Sequence, residues 1–228
     1  MTEGGATLAA MTWPEVAERA ASTILAVPVG STEQHGPHLP LATDLLVAEA
    51  LAHRLADARP SVVVAPSLPY GSSGEHAGFA GTLSIGQPAL ESVVVELVRS
   101  ADVFAGVVLV SGHGGNAEPL GRAVRTLIGE GRRVMAWSPR VEGGDAHAGR
   151  TETSIVLALG GRVVAESAAP GETRPIEQLL PDLRAGGVAA VAASGVLGDP
   201  TGATVAEGAG LLEVLAADLV AAVDEFAE

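Results

Sequence analysis

Five of the six histidines, His35, His38, His76, His113 and His147, stand in glycine-bearing stretches, and the carboxylates Glu33, Asp44 and Glu152 lie close to them in sequence. The sixth, His53, falls on a helical pattern and reads as a surface residue. Glu33-x-His35 puts a carboxylate and an imidazole at i and i+2, which project to one side of an extended chain. Asp44 follows at the expected start of a helix, and His147-Ala148-Gly149-x2-Glu152 offers a second imidazole and carboxylate, the latter in a helical first turn. Nitrogen and oxygen donors of this kind suit hard or borderline divalent ions such as Zn, Mn or Fe(II). Two ions can be accommodated, because a bridging carboxylate can hold a pair ~3.5–4 Å apart, polarising a carbonyl and activating a shared water. Each residue alone has a plainer reading. A loop histidine can tie up backbone groups, and Asp44 or Glu152 can simply favour a helix dipole. It is their convergence that points to a metal site.

Composition removes many alternatives. The 228-residue chain has no cysteine, which excludes thiolate zinc sites, Fe–S clusters and Cys nucleophiles. All 13 basic residues are arginine, so there is no lysine for a Schiff base, a P-loop or an S-x-x-K dyad. A net charge of −14 repels phosphate backbones and anionic lipid heads, so neither nucleic acid nor membrane is an expected partner. No apolar run reaches the ~18 residues of a membrane helix, and Met1–Met11 holds no basic residue to open a signal peptide. A cytoplasmic protein is expected. At 47% hydrophobic residues and 3% aromatic, the core must be aliphatic.

Two catalytic templates compete. Gly112-His113-Gly114-Gly115-Asn116-Ala117 fits G-x-G-x-x-A, the dinucleotide fingerprint, but the next strand ends in Trp137-Ser138-Pro139 with no acid to hold a ribose. Gly71-Ser72-Ser73-Gly74 is followed by Glu75 and is no nucleophile elbow.

The elements that must position the histidines alternate as short Val/Ile-rich runs and helical stretches, the pattern of a mostly parallel sheet between helices in a single domain, residues 1–228. Strands are expected at Ile24–Val29, Val62–Ala65, Val107–Val110 and Val134–Trp137. Helices are expected from the Thr12-x-x-Glu15 capping box to about Ala21, over Asp44–Ala58 behind a Thr43 cap, and over Pro88–Ala105, Ala117–Gly129 and Thr151–Leu159. The last third is less regular until a final helix carrying Leu212, Leu215, Leu219, Val223 and Phe226. Residues 67–86 form a long polar loop, a feature that is usually functional. Its Ser73, Glu75 and His76 are candidates to line a substrate pocket.

The run Gly30-Ser31-Thr32-Glu33-Gln34-His35-Gly36-Pro37-His38-Leu39-Pro40, with Asp44, Gly112-His113-Gly114-Gly115-Asn116 and His147-Ala148-Gly149-x2-Glu152-Thr153-Ser154, resembles the creatininase family of metal-dependent amidohydrolases. More narrowly, Tyr70–His76, Phe79–Thr82, Gly186–Val191 and Gly195–Thr201 are similar to the family's peptidase branch in the mycofactocin system. The resemblance implies a three-layer α/β/α fold. It also implies two divalent ions per chain, one held by Glu33, Asp44 and His113 and one by His35, Asp44 and Glu152, with His147 as the acid/base. By the same resemblance the substrate is a modified precursor peptide, cut to release a fragment derived from its C-terminal Val-Tyr pair, and the assembly is a homo-oligomer, a hexamer in the first instance. The creatinine-hydrolysing members have a glutamate where this chain has Gly115, which assigns the second ion's carboxylate to Glu152 and argues against creatinine. The remaining alternatives are an amidohydrolase of small cyclic or formyl amides and a metal-binding homologue without turnover.

Overall fold

The computed structural model describes residues 6–228, so the reading of the N-terminus as lacking a signal peptide falls partly outside the described residues. Four strands, β1 (Ile24–Val29), β2 (Val62–Val64), β3 (Gly106–Ser111) and β4 (Val134–Trp137), pair in the order β2-β1-β3-β4. All three pairings are parallel. Every residue of β1 to β3 is buried, as expected of parallel strands covered on both faces.

The helices are α1 (Trp13–Arg19), α2 (Thr43–Ala58), α3 (Gln87–Ser100), α4 (Ala117–Gly129), α5 (Arg150–Ala158), α6 (Ile176–Val191) and α7 (Val205–Ala227). Alternate residues of β1 point to opposite layers. Ile24 and Ala26 pack with Leu51 and Leu55 of α2 and Leu215 and Leu219 of α7. Leu25, Val27 and Val29 pack with Leu90 and Val94 of α3 and Leu120 and Leu127 of α4. The result is the three-layer α/β/α arrangement expected from the sequence.

Several boundaries differ from the sequence reading. Thr43 is the first residue of α2 rather than its cap, and its hydroxyl donates to Pro40 O at 2.7 Å. Helix α3 stops at Ser100, not Ala105, because Ala105 N–H already donates to Thr23 O as the chain swings in to enter β3. Helix α6 was not foreseen. It carries Pro181 and is interrupted at Gly187, whose φ of 69° is left-handed, so helix-breaking residues hide the apolar spacing of its first half.

Helices α5 and α7 cross closely at Gly208, where an added Cβ would lie 1.8 Å from Ser154 O. Replacing Gly208 with alanine must push the helices apart, and overpacking of this kind costs ~1–3 kcal/mol. Urea unfolding of Gly208→Ala is expected to show a lower midpoint with an unchanged slope; an unchanged midpoint would mean that the crossing relaxes freely.

The sheet sets the site. The central strands β1 and β3 end side by side, Val29 opposite Ser111. The loops leaving these carboxyl ends carry Glu33 through Asp44 and Gly112 through Asn116, at the place where open α/β sheets bind ligands. Gly112 is needed for the close approach, since a Cβ there would lie 2.1 Å from Asp44 O.

Candidate metal centre

Asp44, in the first turn of α2 and 2% exposed, sits between two imidazoles. Its Oδ1 lies 3.1 Å from His35 Nε2 and its Oδ2 3.2 Å from His113 Nδ1. Beyond His113, Nε2 lies 3.1 Å from Glu33 Oε2. Beyond His35, Nε2 lies 3.9 Å from Glu152 Oε2. Donor atoms of Glu33, Asp44 and His113 fall within 4.8 Å of one another, as do those of His35, Asp44 and Glu152, with Asp44 common to both groups. A third group joins Glu33, His35 and His147. The fold therefore brings all six residues into one cluster, although they come from three separate segments of the chain.

The donor set fits cations. Both carboxylate oxygens of Glu33 are buried and make no well-formed hydrogen bond, facing only the imidazole nitrogens His113 Nε2 and His76 Nε2 at 3.1 Å, and a cation between these groups would satisfy them. Burial drives the Glu33 carboxyl upward even with His113 beside it. Burial alone would lower His35 and His113, yet the Asp44 carboxylate overcomes it and raises them to about 9 and about 10. Burial raises Glu152 too, against the opposing charge of His35. A cluster that draws protons onto its histidines in this way is short of positive charge, which divalent ions supply.

Supporting groups aim these side chains. Ser31 Oγ donates to Asp44 Oδ2 at 2.6 Å. Ala148 takes φ 53°, a strained value for a residue with a Cβ, and its N–H donates to Glu152 Oε2 at 2.5 Å. Gln34 is a hub. Its Oε1 accepts from Gly36 N–H at 2.8 Å, which fixes the amide's orientation. Its Nε2 then lies 2.8 Å from His76 Nδ1 and 3.1 Å from both Gly195 O and His147 Nε2. The amide hydrogens go to His76 and Gly195, and His147 Nε2–H donates to Gln34 O at 2.9 Å. Ser31 and Gln34 escaped the sequence reading; their position inside the motif that carries Glu33 and His35 was the available signal.

Other candidates fall in different places. His38 is buried but bonds Thr153 Oγ1 at 3.0 Å, outside the three donor groups, and His53 is exposed. A cavity of about 400 Å³ opens on the cluster, lined by Asp44, Glu75, His76, His113, His147 and Glu152 on the polar side. Glu75 Oε1 lies 3.5 Å from His113 Nε2 and within 2.3 Å of where a Cβ on Gly115 would stand, so the missing side chain at 115 makes room for Glu75. His76 Nε2 lies 3.1 Å from Glu33 Oε1, and burial together with the charges of His113 and His35 pushes it down to about 3. Ser73, expected on the pocket wall, is fully buried instead and is not among the lining residues. Neither tryptophan reaches the cavity. Trp13 is 82% exposed, and Trp137 is buried with its Nε1–H donating to Asp218.

Known proteins share this architecture. The creatininase family model, described as creatinine amidohydrolase, matches residues 9–223. A protein of Mycobacterium ulcerans (strain Agy99) named mycofactocin precursor peptide peptidase is 47% identical, over 92% of this chain and 84% of its own. A protein of the same name from Mycolicibacterium smegmatis (strain ATCC 700084 / mc(2)155) is 52% identical over 80% and 76%. Among solved structures, a manganese creatininase superposes with a TM-score of 0.80 at 28% identity, covering 97% of this chain and 98% of its own. A zinc–zinc form of a creatininase mutant gives 0.79 at 28% identity, with 96% and 97% covered.

Proposed function

The chain belongs to the creatininase family, and from that premise we propose that it is a metal-dependent peptidase, one that cleaves the modified mycofactocin precursor peptide to release its C-terminal Val-Tyr-derived fragment. The observation that carries this reading is Asp44, shared between two three-residue donor groups and lining the cavity. Similarity to the mycobacterial peptidases, at 47% and 52% identity, supplies the substrate. We assign one divalent ion to Glu33, Asp44 and His113 and a second to His35, Asp44 and Glu152, with Zn, Mn or Fe(II) as the metals their donors suit. Such ions polarise an amide carbonyl and make a water nucleophilic near neutral pH.

The chain's own residues do the rest. Glu33, Asp44 and Glu152 present carboxylates whose orientation is fixed by burial, Ser31 Oγ and Ala148 N–H. His147 Nε2–H is taken up by Gln34 O, so Nδ1 faces the cluster and can carry a proton to the departing amine. Glu75 and His76 border the space for the substrate. The metal-loaded protein is expected to cut the modified precursor peptide while leaving creatinine and the unmodified peptide intact. Turnover of creatinine instead would overturn the substrate, and no turnover of any amide would favour a metal-binding homologue.

We place this chemistry in one domain and in a cytoplasmic homo-oligomer, with a hexamer first. Among the described residues no helix is long and apolar enough to cross a membrane. Light scattering should be run in moderate salt, because −14 per chain opposes association when unscreened. A mass of 22.7 kDa at micromolar concentration would contradict the assembly.

A further inference from the structure

His38 belongs to none of the three donor groups, yet it is buried as deeply as the residues that do. Its ring folds back over Gly36, where a Cβ would lie 2.9 Å from His38 Nδ1. That nitrogen has no hydrogen-bond partner, which leaves Nε2, 3.0 Å from Thr153 Oγ1, as the ring's bonding atom. The next bond fixes the direction of this one. Thr153 has a single hydroxyl hydrogen and gives it to Gly149 O at 2.7 Å, so Oγ1 accepts from His38 Nε2–H. For stability alone the imidazole is a poor choice, since a leucine of similar size would strand no buried nitrogen. The bond to Thr153 must serve something else.

Thr153 adjoins Glu152 in the first turn of α5. Its N–H also donates to Gly149 O, at 3.1 Å, so main chain and side chain both tie it to that turn. Ala148, the residue before Gly149, gives its N–H to Glu152 Oε2. The other end of the link is the loop that carries His35. His38 O accepts from Val164 N–H at 2.9 Å, beyond the C-terminal end of α5, and Leu39 packs with Ala148 and Val156. The loop holding one proposed ligand of the second ion is thus fastened to the helix holding another, and the side-chain bond between them runs from His38 to Thr153. We propose that His38 is a positioning residue, whose Nε2–H, through Thr153 Oγ1, sets Glu152 opposite His35 for the second ion. The assignment rests on the two-ion reading of the site. The first ion's group, Glu33, Asp44 and His113, has no member on α5, so the effect of His38 falls on the second ion.

The test reads metal affinity and needs no turnover. Zinc is titrated into metal-free protein against a chromophoric chelator, and circular dichroism confirms that each variant is folded. His38→Leu is expected to weaken one of the two equivalents about 10–100-fold, the usual effect of losing a group behind a ligand, and to leave the other unchanged. His38→Gln, whose amide nitrogen is as many bonds from Cα as Nε2, should recover most of that loss. Because His38 acts through Glu152, adding His38→Leu to Glu152→Gln should weaken zinc no further, whereas adding it to Glu33→Gln should weaken the equivalent that remains. Two unaltered equivalents in His38→Leu, equal weakening of both, or a glutamine variant as weak as the leucine one would each overturn the role. If His38→Leu does not fold, Thr153→Val against Thr153→Ser, which remove and keep the acceptor, decides in the same way. A wild type that saturates at one equivalent would remove the two-ion reading, and the role would then stand only if that ion weakens in His38→Leu and recovers in His38→Gln. Failure to cut the precursor peptide, with the zinc pattern intact, would remove the peptidase reading alone.

Discussion

Asp44→Asn is expected to empty both positions of the metal centre at once. Asp44 alone belongs to both proposed donor groups, and its two oxygens are separately engaged, Oδ1 by His35 and Oδ2 by His113 and Ser31. An asparagine keeps one acceptor oxygen, replaces the other by an NH2 that cannot ligate, and removes a full negative charge where no water can compensate, at 2% exposure. Glu33→Gln and Glu152→Gln each touch only one of the two groups that share Asp44. Elemental analysis after purification without chelator should therefore show more than one equivalent per chain in wild type, about one in either glutamine variant, and far less than one in Asp44→Asn. Peptidase activity should drop to that of chelator-stripped wild type, and added metal should restore the stripped wild type but not the variant. A wild-type stoichiometry that saturates at one equivalent would sink the dinuclear assignment. Retention of a full equivalent in Asp44→Asn would show that the carboxylate does not bridge.

The parts of this arrangement that could be read beforehand are those in which local sequence and tertiary structure agree. Ile24–Val29 and the apolar run before Ser111 are recognisable as strands because parallel strands covered on both faces leave no polar residue to break the pattern. Glu33, His35 and His113 could be grouped because loops after such strands share one edge of the sheet. Helix α6 could not, since Pro181 and the Gly186-Gly187 pair contradict a helix locally, and packing of Leu179 and Val188 under the loop carrying His76 outweighs that preference. The role of Gln34 was hidden for a different reason. A neutral amide announces no chemistry by its type, and its partners His76, His147 and Gly195 come from distant parts of the chain. The exchange between Gly115 and Glu75 is equally invisible to spacing, because only the folded loop brings residues 40 apart into one volume. Ser73 shows the converse failure: belonging to a functional loop does not place a side chain on its open face.

His147→Ala is expected to leave both metal positions and substrate affinity in place while kcat falls by ~10²–10⁴, the usual contribution of a positioned proton-transfer group. The geometry separates His147 from the groups that share Asp44. Its Nε2–H is committed to Gln34 O at 2.9 Å, and its Nδ1 stands 3.9 Å from Glu33 Oε1, facing the cluster from the side of Leu197. Burial, together with the charges of His35 and His76, holds this imidazole well below its ordinary range, so it rests neutral. A neutral ring whose Nε2–H stays bonded to Gln34 can take the proton released by the attacking water on Nδ1 and pass it to the departing amine. It is thus a shuttle rather than a resident acid. His35→Ala and His113→Ala should behave differently, losing metal and regaining part of their activity when metal is added. The third donor group, Glu33 with His35 and His147, supplies the rival outcome. If His147→Ala loses an equivalent of metal, His147 is a ligand and Glu152 must be released from that role. If the variant keeps full activity with both metals bound, the leaving nitrogen takes its proton elsewhere, and Glu75, the other carboxylate bordering the cavity beside His113, becomes the group to replace next.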